Sequence, residues 1–248
     1  MKWGSLYGPE YVNNLAAGVR RHLARPHRFI CFTDDGAGLD DGIEVRPIPE
    51  LGLPAGHNDR RWRKLSVFRD DLGIEGTALF LDLDLVIVDD LEPFFAHRGT
   101  FLILRDDDLF RKKPLRRLNP ARDRFLHSVG NSSVFRFELG AHRYILDAFV
   151  ADPAAATREF EISQQFQSAQ LAKHGHLDYW PKGWCVSFKN DCVPRGFVSY
   201  FRDPACPAGA KIVVFAGNPK MTEVLEGGGH KWYRRIGDTG WLRRAWNA

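Results

Sequence analysis

Two carboxylates stand inside the most apolar run of the chain, Ala78-Leu79-Phe80-Leu81-Asp82-Leu83-Asp84-Leu85-Val86-Ile87-Val88. An ionised carboxylate is costly to bury unless a cation or strong donors hold it, so both acids demand partners. Gly76 precedes the run, and the stretch before Asp82 is too short for a helix, which predicts a buried strand carrying the acids at its C-terminal end. Open α/β sheets bind ligands at that end. Residues two apart on a strand share a face about 6.6 Å apart, at about 3.3 Å of rise each. That is too far for both to hold one small cation symmetrically at about 2.1 Å. One aspartate is expected on a metal ion and the other on water or a sugar hydroxyl.

The surrounding chain reads as one α/β domain over residues 1–248. Its hydrophobic content of 44% and charged content of 27% are those of an ordinary globular protein. No run approaches the roughly 20 apolar residues of a membrane span, and Met1-Lys2-Trp3-Gly4-Ser5 has no secretory h-region. Cys31, Cys185, Cys192 and Cys206 lack paired spacing, which predicts free thiols and a cytoplasmic protein. The net charge of +4 is uneven: Arg111, Lys112, Lys113, Arg116 and Arg117 lead to Arg122 and Arg124, and Lys231, Arg234, Arg235, Arg243 and Arg244 follow near the C-terminus. These are either solvated basic faces or an attraction for an anionic ligand such as a nucleoside diphosphate. Nothing matches an RRM, zinc-finger or helix-turn-helix pattern, so no nucleic-acid partner is expected.

Apolar residues at helical period from Tyr11 to Leu23, stopped by Pro26, predict a helix. Strands are expected at Arg28–Phe32, running into the acidic turn Asp34-Asp35, and at Ile43–Ile48. A helix over Arg60–Leu72 carries Lys64 and is closed by Gly73. After the strand with the two acids come a strand at Thr100–Leu104, a mobile loop at Asp106-Asp107-Asp108 and the basic run, and a turn at Ser128–Ser133 entering a strand to Phe137. Helices are expected at Ala141–Ala151 and Ser163–Lys173, short strands at Leu177–Pro181 and Trp184–Phe188, and a buried strand at Lys211–Ala216 ending in Gly217-Asn218-Pro219-Lys220. Tyr179, Trp180 and Trp184 are read as core rather than as a sugar platform.

With these pieces placed, the chain resembles the GT-A fold nucleotide-sugar glycosyltransferases, most closely the bacterial family 8-like members. The resemblance rests on Trp3-Gly4 with Tyr7–Asn13, Cys31–Asp35, Lys64-Leu65, Asp82-Leu83-Asp84, Asn131-Ser132-Ser133, Gln164-Gln165 and Phe215–Lys220. It implies a Rossmann-like single domain with a mixed, mostly parallel central sheet flanked by helices. It also implies transfer, with retention, of a sugar from a nucleoside-diphosphate sugar (a UDP-sugar) to a glycan, lipid or protein acceptor, assisted by Mn2+ or Mg2+. On that resemblance Asp84 binds metal directly and Asp82 touches ribose or metal. Leu83 lies on the donor between them, and Thr33 and Asp34 lie near the base. Lys64 holds the donor, Asn131, Ser132, Gln164 and the catalytic Gln165 face the transferred sugar, and Gly217 and Lys220 meet the diphosphate. A diphosphate leaving group gains charge as it departs, and a cation with a lysine is suited to neutralise it.

Three departures from that pattern stand in the sequence. Val214 and Ala216 occupy the candidate places of a metal-binding histidine, with His230 as a substitute. Gln164 replaces an aspartate, and only Lys2 and Trp3 of an implied first strand precede Gly4, which leaves one wall of the base pocket open. Two other readings compete: a sugar-nucleotide or glycan-binding GT-A domain without activity, and a haloacid-dehalogenase-type phosphohydrolase with Asp82 as nucleophile. The second needs a later acidic pair at a strand end, for which Asp238 is the candidate.

Overall fold

A computed structural model describes residues 1–53, 61–109 and 118–247. The first periodic segment forms helix α1, Pro9–His22. Pro9 sits in the first turn, where its missing N–H is no loss, and Arg20, Arg21 and His22 complement the negative end. Its buried stripe of Tyr11, Val12, Leu15, Ala16 and Val19 lies against the second half of the apolar run. Strands β1, Phe29–Phe32, and β2, Ile43–Arg46, pair in parallel.

The helix expected over Arg60–Leu72 is instead a 3-10 segment, Arg63–Phe68, with Arg60 outside the described residues. Leu65, Ser66, Val67 and Phe68 are all buried. Four consecutive buried residues exceed the single stripe that an amphipathic α-helix can hide, so the tighter turn wins.

The apolar run splits into two strands that belong to different sheets. β3, Thr77–Leu81, is antiparallel to β6, Gly130–Glu138, which is antiparallel to β5, Phe101–Arg105; β5 is parallel to β7, Asp178–Tyr179. β4, Leu85–Ile87, is antiparallel to β9, Ile212–Val214, and β9 is parallel to β8, Cys185–Ser187. The chain leaves one sheet at Leu81 and enters the other at Leu85, with Asp82-Leu83-Asp84 making the switch. β3 itself is half-buried, not fully buried, because one of its edges carries no partner strand among the described residues. The mixed α/β architecture matches expectation, but it is laid out as three short ladders, and parallel and antiparallel pairings are equally represented among the described residues.

Helix α2, Glu92–Ala96, follows β4. Arg136, buried in the middle of β6, donates to the carbonyls of Phe94, Phe95, His97 and Gly99, which fastens this helix to the sheet. Asp106–Leu109 is a helical turn, α3, rather than a mobile loop, and it packs on β8. The basic run from Arg111 to Arg117 lies outside the described residues. Further helices are α4, Pro120–Ser128; α5, Arg143–Ala151; α6, Pro153–Glu159; α7, Ser163–Lys173; α8, Met221–Leu225; and α9, Gly240–Asn247. Two apolar cores result. One joins α1, β4, β8, β9 and α9, and the other gathers Trp62, Phe68, Phe101, Phe135, Phe149 and Phe166. Trp180 is core, as expected, and its indole N–H donates to the Val134 carbonyl at 3.1 Å. Among the described residues no helix is long and apolar enough to cross a membrane.

Candidate active site

Both sheets grip the Asp82-Leu83-Asp84 turn by its backbone. Asp82 N donates to Ser133 O at 2.9 Å on the β6 side, and Phe215 N donates to Asp84 O at 2.8 Å just past β9. The carboxylates therefore stand at a fixed place between the two sheets, while Leu83 turns into the core at 6% exposure.

Asp82 is fully engaged by a cation of the same chain. Lys64 Nζ lies 2.7 and 2.9 Å from its two oxygens and also donates to Ser132 O and Oγ at 3.1 and 3.2 Å. Three residues expected at the site thus meet in one cluster, and the lysine expected to hold a donor holds an aspartate. The 3-10 segment makes this possible by burying Leu65 and leaving Lys64 half-buried beside the Phe80 ring, 5.1 Å from its centroid.

Asp84 is less well served. Tyr7 donates its hydroxyl to Oδ2 at 3.4 Å, and Lys220 Nζ reaches that hydroxyl, not the carboxylate, at 3.5 Å. Burial and then the neighbouring Asp82 charge push the Asp84 carboxyl up to about 6, against the pull of Lys220 and Lys64. The Tyr7 phenol is pushed up as well, by burial and by Asp84. Lys220 occupies the cap position of α8, so its backbone is fixed while its ammonium faces this corner.

A third group forms a polar wall. Asp106 Oδ1 accepts from Asn131 Nδ2 and from Gln164 Nε2, both at 3.1 Å. Gln164 Oε1 accepts from Ser132 N at 3.3 Å, and Asn131 Oδ1 accepts from Ser133 N at 3.0 Å. Gln165 is not brought in: its side-chain Oε1 accepts from Glu161 N at 3.1 Å, near the start of α7. Asp106, Tyr7 and Lys189 are residues of the site that the sequence reading missed. Asp106 supplies a carboxylate on the same wall as Gln164; its signal was its position just past the end of β5, hidden in an acidic triplet.

The remaining expected residues have structural duties. Thr33 donates its hydroxyl to Asp35 O at 2.8 Å and accepts from Asp35 N, and Asp34 accepts from Gly4 N at 3.0 Å. Both therefore shape the turn beyond β1. Gly217 is exposed with φ +81, a backbone that favours glycine. Ala216 O accepts from Lys189 Nζ at 2.6 Å, which adds a cation to the same strand end. Val214 is fully buried, and His230 Nδ1 accepts from Ile236 N at 2.9 Å. Among the described residues no group of three or more His, Cys, Asp or Glu could hold a metal ion by itself. Asp238 lies in the loop before α9, where it accepts from Gly240 N, so this candidate does not stand at a strand end as the phosphohydrolase reading requires.

No protein-family model matches the sequence, and no curated protein is similar to it in sequence. Solved structures are similar in fold. The galactosyltransferase LgtC in complex with donor and acceptor sugar analogs aligns with a TM-score of 0.58 at 15% identity, over 95% of this chain and 89% of that one. An active-site glutamine-to-glutamate mutant of LgtC aligns with a TM-score of 0.55 over the same shares. The glycosyltransferase GlyE of Streptococcus pneumoniae TIGR4 aligns at 0.59 and 12% identity, over 99% of this chain and 60% of that one. The chain has the GT-A glycosyltransferase fold, with Asp82-Leu83-Asp84 at the junction of its sheets.

Proposed function

We propose that the protein is a glycosyltransferase that moves a sugar from a nucleoside-diphosphate sugar, a UDP-sugar, to a glycan, lipid or protein acceptor with the help of Mn2+ or Mg2+. The observation that carries this reading is the unequal charge balance of the two aspartates at the sheet junction. Asp82 is neutralised by Lys64, whereas Asp84 is half-buried, has a tyrosine hydroxyl as its neighbour, and has its carboxyl pushed up to about 6. Such a carboxylate calls for added positive charge, and oxygen ligands suit manganese or magnesium. The residues present fit a divalent cation, which Asp84 would hold with Asp82 beside it.

When bound, the cation supplies charge that stabilises the departing diphosphate. Lys220 adds a second positive charge from the α8 cap, and Gly217 lets the backbone approach a phosphate closely. Asn131, Ser132, Gln164 and Asp106 form the wall proposed to orient the transferred sugar, and their mutual hydrogen bonds set them in place before the donor arrives. This supports Gln164, rather than Gln165, as the amide on the sugar. Lys64 acts through Asp82 by holding that carboxylate in place. Retention of anomeric configuration is proposed from the resemblance in sequence pattern.

A panel of sugar nucleotides scored by thermal shift with and without manganese tests the reading, since ligands that bind the native state raise its apparent stability. UDP-sugars should raise Tm only with the metal and should release UDP slowly. Stabilisation without release, across all acceptors offered, would favour the inactive binding domain, for which the absence of a histidine at Val214 and Ala216 speaks. Release of phosphate from simple phosphomonoesters, with no response to any sugar nucleotide, would overturn the transferase.

A further inference from the structure

Of the eleven large apolar residues that stand exposed among the described residues, six fall in two short segments: Phe197, Val198, Tyr200 and Phe201 in one, Trp232 and Tyr233 in the other. Single exposed apolar residues are ordinary, but a contiguous group marks a surface that something else covers. Phe201 is 87% exposed and Trp232 81%, so these rings stand out from the fold rather than lying along it. The first segment contains a 3-10 turn, Gly196–Tyr200, in which Ser199 is the buried residue. The second is the tip of a tight turn, closed by Lys231 N to Arg234 O at 2.9 Å and Arg234 N to Lys231 O at 2.8 Å. Turn tips favour glycine, asparagine and aspartate, and this one carries tryptophan and tyrosine.

The two segments form one patch. Tyr200 donates its hydroxyl to Trp232 O at 2.8 Å, and Ser199 Oγ accepts from Arg235 N at 2.8 Å. The Phe197 ring centroid lies 6.1 Å from that of Tyr200 and 6.3 Å from that of Trp232, which is 5.4 Å from that of Tyr233. Arg234 fastens the patch to the fold, its guanidinium donating to the carbonyls of Lys189, Val193 and Pro194.

Bases bracket both segments, Arg195 and Arg202 around the first and Lys231 and Arg235 around the second. All four are exposed, and none forms an ion pair among the described residues. Asp203, the acid next to Arg202, accepts from Asp238 N at 2.9 Å. Projecting rings ringed by uncompensated cations suit the bilayer interface, where aromatic side chains settle at headgroup level and Lys or Arg meets anionic lipid. A sugar chain would stack on rings that share a plane, whereas these neighbours are inclined at 33°, 63° and 85°.

We propose that this patch docks on an anionic lipid bilayer, with its aromatic and apolar side chains entering the headgroup region and its four bases meeting the lipid phosphates. The basic residues near the C-terminus thereby gain a partner in Lys231 and Arg235. The proposal rests on the patch and not on the transferase reading.

The test is co-sedimentation of the full chain with vesicles of phosphatidylcholine containing phosphatidylglycerol. The parent should bind them, should bind phosphatidylcholine alone at least about ten-fold more weakly, and should be released by salt. Trp232→Ser and Phe201→Ser should each weaken binding about ten-fold, and Arg202→Gln about five-fold. Their Tm should stay within about 2 °C of the parent's, since the side chains are exposed. Trp232→Phe should keep binding while losing part of the tryptophan fluorescence that brominated lipid quenches. Failure of the parent to bind the anionic vesicles, or equal binding by the parent and the three weakening variants, would overturn the proposal. It would also be overturned if, in place of vesicle binding, the parent self-associated in light scattering or was retained on immobilised polysaccharide and Trp232→Ser abolished that behaviour.

Discussion

The two flanks of the Asp82-Leu83-Asp84 turn use the same residue type in opposite ways. On one flank Asp82 receives two contacts from a lysine ammonium and sits beside a wall whose polar groups answer one another. On the other flank Asp84 has a tyrosine hydroxyl at 3.4 Å and a lysine one residue further away. The difference separates a preorganised surface from a charge held in readiness. A site that must bind an anionic donor through a cation gains most if one carboxylate is already satisfied and the other is not.

The sharpest way to break this contrast is to neutralise each aspartate. Asp84→Asn should abolish manganese-dependent stabilisation by UDP and lower turnover by about 10²- to 10³-fold, the scale of losing one electrostatic stabiliser of a transition state, while the melt stays cooperative. Asp82→Asn should leave part of the metal response. Equal loss of metal dependence in both variants, measured by calorimetric titration of manganese, would remove the distinction between the flanks.

The same contrast appears in the pH dependence of stability. The folded Asp84 carboxyl, at about 6, lies above its value in the unfolded chain, so the native state binds more protons between about pH 4 and 6. Stability contributed by this group is present below that window and is lost as pH rises through it, by on the order of 2–3 kcal/mol. Glu44, Asp71, Asp89 and Glu92 are held low by their partners and act with the opposite sign at lower pH. The difference between urea-melt curves of the parent and Asp84→Asn isolates the effect, and a flat difference from pH 4 to 7 would refute it. With UDP and manganese present, affinity should rise as pH increases through about 6, because the bound form requires the ionised carboxylate.

On the satisfied flank, Lys64→Met leaves Asp82 without its cation and should destabilise the fold by about 1–3 kcal/mol, the pair being partly exposed. Adding Asp82→Asn should recover most of that loss, and a double-mutant cycle in chemical denaturation measures the coupling. If Lys64→Met melts like the parent, the ion pair is decoration and the lysine is free for another task.

Much of this site could be read from the sequence because it depends on local pattern. Apolar residues around Asp82 and Asp84 require a strand that ends in acids, and the period from Tyr11 to Leu23 requires a helix. What escaped depends on non-local contacts. Lys64 reaches Asp82 across 18 residues of chain, and Tyr7 reaches Asp84 across 77. Asp106 is one of three identical neighbours, and the Val129 carbonyl, which accepts from its N–H at 3.1 Å, and the two amides facing its side chain single it out. The split of one apolar run between two sheets is equally hidden, since Leu81 and Leu85 look alike until their partners Val134 and Val214 are known.

The smallest expected effect turns on one step of a helix. Gln164 and Gln165 are adjacent on α7, and adjacent helical residues point about 100° apart, so a glutamine pair in the sequence leaves open which amide faces the site. The structure turns Gln164 toward Asp106 and Ser132 and turns Gln165 back toward Glu161. Gln164→Ala removes a donor from Asp106 and an acceptor from Ser132 N, each a hydrogen bond worth about 0.5–1.5 kcal/mol. It should lower kcat/KM about five- to ten-fold, with the loss mainly in kcat if the wall orients the sugar at reaction. Gln165→Ala removes one exposed bond at a helix start and should change stability by less than about 0.5 kcal/mol and kcat/KM by less than about two-fold. Steady-state UDP release by the two variants decides it: a larger loss at Gln165 than at Gln164 would mean that α7 rotates when the donor binds and that the polar wall seen around Asp106 is rearranged on binding.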